Sequence, residues 1–363
     1  MRNIKWRTFL CSQSELRLDI TLRCGQSFRW KKVEDPAVGV GVGPVYIGVI
    51  QSKLLLLSQD TEQVFYHCVN NEECDKTESL LKDYFQLSVK LSNLYKEWSD
   101  ADPIFRKIAV DYPGVRILRQ HPVENVFSFI CSANNNIIRI SSLVEKLCTH
   151  YGEFLCEFNQ EKYFSFPAVA SLSKPEVEAE LRDLSFGYRA KYIQQSAKFI
   201  LAQGGADWLL SLRSLPYEEA REAVTELPGV GPKVADCVLL MSLDQSGAVP
   251  IDTHMLTIAK KYLPHLRNQK TVTHKIYLEI SNFFRSLYGK YAGWAHSVLF
   301  SADLKRIQET VGVGGPTGSS QETEEKLNKK KKHSKKPERS ENIESSDSET
   351  ERSGKSRKKR KKT

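Results

Sequence analysis

The chain has 363 residues, 40% of them hydrophobic, which is material for about two domains with cores of their own. Its net charge of +9 is uneven: 16 of the 53 Lys/Arg but only 9 of the 44 Asp/Glu fall in residues 321–363, so the body is nearly neutral and any surface for a polyanion must be a local patch. No apolar run is long enough for a membrane-spanning helix, and the eight cysteines contain no Cys-x-x-Cys, which argues against a zinc ribbon and for free thiols in a reducing compartment.

At the start, Arg2, Lys5 and Arg7 precede the first acid, Glu15. That is a faint leader-like pattern, and the expectation from it is at most a minor mitochondrial pool, because Trp6 and Phe9 read as the beginning of a fold. Residues 1–110 are expected to form an antiparallel sheet domain. Val45–Ile50 and Lys53–Leu57 are short apolar runs bounded by turn residues. Residues 35–44 are rich in Gly and Pro and read as a loop, and Glu78–Leu87 turns helical. In Cys24-Gly-Gln-Ser-Phe-Arg-Trp30, Gly25 permits a positive φ or a close backbone approach. On its own this is a turn entering a strand at Ser27–Lys31.

From about Val115 the period becomes helical and stays so, which makes 111–305 a helical domain and the whole chain α+β. Pro122–Cys131 reads as one helix. Asn134-Asn-Asn136 interrupts it, and Ile137, Ile138, Ile140, Val144, Leu147 and Cys148 restart the helical spacing until Gly152. Gly187-Tyr-Arg-Ala190 reads, on its own, as ordinary surface.

The centre of the chain is Leu227-Pro-Gly-Val-Gly-Pro-Lys-Val-Ala-Asp236. Tyr217, Ala220, Val224 and Leu227 before it, and Val234, Val238 and Met241 after it, are at helical spacing. Pro232 suits the first position of a second helix. Gly229 and Gly231 permit a tight turn with a bare backbone, whose amides and helix N-terminus suit a phosphate without reading a base. Lys233 falls in the first turn, where the helix dipole disfavours a cation and favours a neutral, nucleophilic amine. Cys237 lies four residues on, on the same face.

Val249-Pro-Ile-Asp-Thr-His254 follows, with Asp252 as the N-cap of a helix carrying Met255, Leu256, Ile258, Ala259 and Tyr262. In 290–304, Tyr291, Trp294, Ala295, Val298, Leu299 and Ala302 make a core stripe, with His296 and Phe300 off its centre. From 306 the chain reads as a disordered basic tail. Lys329–Lys332 and Arg357–Lys362 suit nuclear import or non-specific DNA contact, so a nuclear location is expected.

Hairpin, Lys233 and Asp252 together resemble the signature of the helix-hairpin-helix DNA glycosylases with lyase activity, and with the flanking stretches the chain resembles the 8-oxoguanine DNA glycosylases over roughly residues 6–305. The resemblance implies double-stranded DNA with 8-oxoguanine opposite cytosine as partner, a monomer, and no metal or redox cofactor. It implies Lys233 as nucleophile and Asp252 as its electrostatic partner. The flipped base would lie between Cys237 and Phe300, with Met255 nearby, and its N7–H would be read by the Gly25 carbonyl. Guanine N7 only accepts, so an accepting carbonyl favours the lesion over the normal base. Asn134 would fill the vacated stack, Tyr188 would wedge the duplex, and Arg139 and Arg189 would hold the cytosine. Gly229, Gly231 and His254 would contact phosphates. His296 stands where the family has glutamine, so the base edge would meet an imidazole in place of an amide. The cysteine loop that holds an iron–sulfur cluster in some relatives of the superfamily is absent, since no cysteine follows Cys237. Two other functions compete: a damage reader that does not cut, and a same-fold glycosylase for alkylated bases. Lys233 argues against both, because neither needs an amine nucleophile.

Overall fold

Five strands, β1 (Arg7–Leu10), β2 (Lys31–Val33), β3 (Val45–Ile50), β4 (Lys53–Gln59) and β5 (Gln63–Cys68), form an antiparallel sheet in the order β1-β5-β4-β3-β2. This is a computed structural model that describes residues 4–35, 38–70 and 75–311, with only the backbone described at 75 and 305–311. The central strands are unbroken apolar runs because both of their faces are covered. Tyr46, Ile50, Leu55 and Leu57 enter one core with Phe9, Trp30 and Phe85. Val45, Ile47, Val49, Leu54 and Leu56 alternate into a second core with Phe158 and Tyr163. Gln51 and Ser52, with φ of 45° and 63°, make the two-residue turn between β3 and β4.

Ser27–Trp30 is not the strand its sequence suggests, and pairing begins only at Lys31, opposite Ile47. The cause is Gln26, whose side chain accepts from the Leu118 amide at 3.0 Å and donates to the Arg116 carbonyl at 2.7 Å. Those bonds draw the segment off the sheet and onto the 116–120 stretch. The region after Val115 is not helical throughout as expected; it is interrupted by a hairpin, β6 (Phe154–Phe158) and β7 (Glu161–Phe164). Its turn, Asn159-Gln160, again has two positive φ values, and its apolar face completes the second core of the sheet.

Contacts group Met1–Val311 into one unit. Arg116, fully buried, ties the sheet layer to the helices. It donates to the Glu15 carboxylate at 2.7 Å and to the carbonyls of Gln86 and Val89, and it lies over the Trp294 ring. The longer helices are Asp75–Tyr84, Leu91–Ala101, Pro122–Ser132, Ile137–Tyr151, Arg189–Gln203, Tyr217–Thr225, Pro232–Ser242, His274–Tyr288 and Ala292–Val311; Thr253–Ala259 and other short ones lie among them. The last runs past residue 306, where the tail was expected to begin. The basic runs and Arg2 lie outside the described residues. Among the described residues, no helix is long and apolar enough to cross a membrane.

Candidate active site

The helix-hairpin-helix forms as its residues dictate. Tyr217–Thr225 buries Ala220 and Val224, and Pro232–Ser242 opens with Pro232 in its first turn and Gly231 as N-cap. Gly229 has φ +84°, and a Cβ there would lie 2.6 Å from the Tyr192 ring. Only glycine serves at that position. Gly231 needs no such φ (−94°), and nothing lies within 4 Å of where its Cβ would be. Its backbone is open, as a phosphate contact requires. Ser196 Oγ donates to the Pro228 carbonyl at 2.8 Å and fastens the turn to the Arg189–Gln203 helix.

Lys233 emerges half-buried from the first turn, its ammonium 5.1 Å from the Phe129 ring centroid. The helix behind it is buried along its length, from Val234 to Ser242, so Lys233 has a rigid base. Cys237 is one turn on. Burial pushes its thiol up to about 11, and the positive charge of Lys233 pulls the other way. Cys237 is therefore a neutral, apolar wall. Asp252 caps the next helix, accepting from the Met255 amide at 2.9 Å.

Gly25, Lys233, Cys237, Asp252, His296 and Phe300 line one cavity of about 50 Å³. That is room for a few waters. Entry of a purine requires side chains to move, and the partly exposed members of the lining are Gly25, Lys233, Asp252 and Phe300. Gly25 has φ +84°, a conformation that its Gln26-anchored loop holds in place. Met255 is fully buried and does not line the cavity, contrary to its expected place at the base; its amide serves the cap. Cys24, Gln26, Phe129, Met241, Pro250, Ser297 and Ser301 line the cavity and were not expected there. The two serines had a signal, being polar, four apart and beside His296 and Phe300 in an apolar helix.

His296 is 5% exposed, and neither ring nitrogen has a hydrogen bond of good geometry, although the Pro250 carbonyl faces the ring. Burial pushes its imidazole down to about 4, with Asp252 and the Pro250 carbonyl opposing and Lys233 adding to the depression. It is a neutral group with one N–H and one lone pair. It stacks on Phe300 at 6.1 Å and 15°. His254 meets the edge of the same ring at 6.0 Å and lies 3.9 Å from the Asp303 carboxylate.

The three asparagines divide their work. Asn136 caps the following helix through the Arg139 amide at 2.9 Å, and Asn135 donates back to the Cys131 carbonyl. Asn134, at φ +50°, comes just before them and is exposed, as is Arg139. Tyr188 is half-exposed, as a wedge must be. Arg189 is not the surface residue its local sequence suggests. It is 5% exposed and donates to the carbonyls of Ala133 and Asn134, with its guanidinium 4.7 Å from the Tyr188 ring centroid. A larger cleft of about 760 Å³, lined by Arg29, Glu124, His121 and others, shares no residue with the lysine cavity. It lacks an amine nucleophile. Among the described residues, no group of three or more His, Cys, Asp or Glu is placed to hold a metal.

Residues 8–126 match the family described as 8-oxoguanine DNA glycosylase, N-terminal domain. Residues 127–282 match the HhH-GPD superfamily of base excision DNA repair proteins. Fold and hairpin together thus define a base-excision protein of that superfamily. The chain is 39% identical to the N-glycosylase/DNA lyase OGG1 of Arabidopsis thaliana, over 83% of this chain and 80% of that one. It is 35% identical to the N-glycosylase/DNA lyase of Saccharomyces cerevisiae, over 87% and 88%. The 8-oxoguanine glycosylase/lyase of Clostridium acetobutylicum, solved with double-stranded DNA containing cytosine opposite 8-oxoguanine, superposes with a TM-score of 0.70 at 28% identity, covering 84% of this chain and 98% of that one. The chain belongs to the 8-oxoguanine N-glycosylase/DNA lyase family.

Proposed function

We propose that this protein excises 8-oxoguanine opposite cytosine from duplex DNA and then nicks the strand. The observation that carries the reading is the meeting of Lys233 and Asp252, from two different helix starts, at one cavity behind the hairpin. The Lys233 amine attacks C1′ of the flipped nucleotide. The C1′–N9 bond breaks, its electron pair leaves with the base, and the base takes up a proton. Ring opening and loss of the amine proton give a Schiff base, which acidifies the C2′ hydrogen; its removal expels the 3′ phosphate. Asp252 stabilises the positive charge that develops on the sugar. No metal is required by this sequence of steps.

Gly25 offers its carbonyl to N7–H of the lesion, Cys237 and Phe300 enclose the base, and neutral His296 meets its edge. Asn134, Tyr188, Arg139 and Arg189 hold the opened duplex, while Gly229, Gly231 and His254 take phosphates. The tail directs the protein to the nucleus. Borohydride trapping tests the chemistry on two duplexes, one with 8-oxoguanine opposite cytosine and one with guanine there. A covalent complex with the lesion duplex alone, lost in Lys233→Gln, is the expected result. Tight lesion binding without trapping would favour a damage reader, and full base release by Lys233→Gln would favour a water nucleophile.

A further inference from the structure

One charged side chain in the lysine helix has no part in the steps above. Asp236 is fully buried, three residues after Lys233. It accepts from Tyr217 Oη at 2.7 Å through one oxygen and from Tyr277 Oη through the other, and Arg221 Nε lies 3.5 Å away. The two tyrosines are not equivalent. Tyr217 belongs to the first hairpin helix and, within this cluster, is bonded to the carboxylate. The Tyr277 hydroxyl, from the His274–Tyr288 helix, also shares its proton with the Pro232 carbonyl at 3.2 Å. The same oxygen interacts with the backbone amide of Ile251. Pro232 immediately precedes Lys233, and Ile251 immediately precedes Asp252. One buried hydroxyl is therefore bonded to the backbone just before Lys233 and to the carboxylate that anchors the lysine helix, and the amide just before Asp252 acts on the same oxygen.

We propose that Tyr277 is a positioning residue for the excision step, fixing the lysine-bearing helix start against the segment that leads into Asp252. This rests on the reading of Lys233 and Asp252 given above. Tyr277 touches no substrate. It acts by removing freedom between the segments that carry Lys233 and Asp252, and a misplacement of about 1 Å between reacting groups is costly. Tyr217 donates to the same carboxylate without reaching Pro232 or Ile251, which makes it the natural control.

The experiment compares full-length Tyr277→Phe and Tyr217→Phe with the wild type. Each loses one phenol donor to a buried carboxylate, so both are destabilised. The readouts are single-turnover excision of 8-oxoguanine opposite cytosine, dissociation constants for that duplex, and melting temperature. Expected for Tyr277→Phe is excision slowed roughly tenfold or more, with lesion-duplex binding within about twofold of wild type. Tyr217→Phe should keep the wild-type rate despite its lower melting temperature. Unchanged excision in Tyr277→Phe, or equal slowing in both variants, overturns the proposal. If Tyr277→Phe does not fold, 3-fluorotyrosine at position 277 keeps the ring and hydroxyl. An altered excision rate then supports the proposal, and an unaltered rate and pH profile reject it. Failure of the Lys233 reading would appear separately, as full base release by Lys233→Gln.

Discussion

The Asp252 carboxylate accepts a hydrogen bond from the Met255 amide at 2.9 Å. A helix start thus aims the group that faces Lys233 across the cavity, and capping and electrostatic roles coincide in one side chain. They can be separated. Asn is as good an N-cap as Asp but carries no charge. Asp252→Asn should unfold within about 0.5 kcal/mol of wild type, while single-turnover excision falls on the order of a hundredfold. Asp252→Ala should lose the rate and also about 1 kcal/mol of stability. Paired melting and excision measurements check both.

His296 makes stability depend on pH. Its folded value, about 4, lies below the ordinary 6.5, so the unfolded chain binds the extra proton between those limits. The folded state is undisturbed by this group above pH 6.5, loses stability as pH falls through the window, and loses no more below about 4. The full effect is on the order of 3 kcal/mol. His296→Gln, measured by denaturant unfolding across that window, should flatten this limb. An unchanged slope would mean that the imidazole is protonated in the fold.

Gly229→Ala should fail on two counts, the left-handed φ of +84° and a Cβ 2.6 Å from the Tyr192 ring. The expected cost is roughly 1–3 kcal/mol. Affinity for undamaged duplex should fall along with that for the lesion duplex, because the hairpin holds phosphates and reads no base. A loss confined to lesion DNA would remove the hairpin from backbone binding.

Arg189→Ala should free the loop that presents Asn134. Its guanidinium holds the carbonyls of Ala133 and Asn134, and deletion should cost roughly 1–3 kcal/mol. Hydrogen exchange at residues 133–136 should quicken, and discrimination for cytosine opposite the lesion should weaken. Exchange unchanged at that loop would show that Arg189 does not restrain it.

Much of this architecture is legible locally. Pro232, Gly229 and the flanking stripes announce the hairpin, because a helix start, a positive φ and a 3.6-residue period are properties of a few neighbouring residues. Asp252 as a cap and Asn136 before its helix are legible for the same reason. β3 and β4 stand out as apolar runs because both faces are buried. The Phe154–Phe164 hairpin does not, since its strands are short and its turn is Asn-Gln rather than a Gly-containing pair.

By itself the sequence determined the local pieces: the hairpin, the lysine in a helix start, the capped aspartate, the core stripe with His296 and Phe300 beside it, and the resemblance those motifs carry. Only the tertiary structure decided which of them meet. Gly25 reaches the cavity because Gln26 binds a backbone stretch about 90 residues away. Met255 is buried outside its lining, Arg189 is drawn inside onto the Asn134 loop, and Asp236 is joined to Tyr277 over a separation of 41 residues. The physical reason is range. Caps, turns and periodicity act within about one helical turn and leave a pattern in adjacent residues. Burial and long-range hydrogen bonds depend on what the completed fold places opposite a side chain, and the neighbours in sequence carry no record of that.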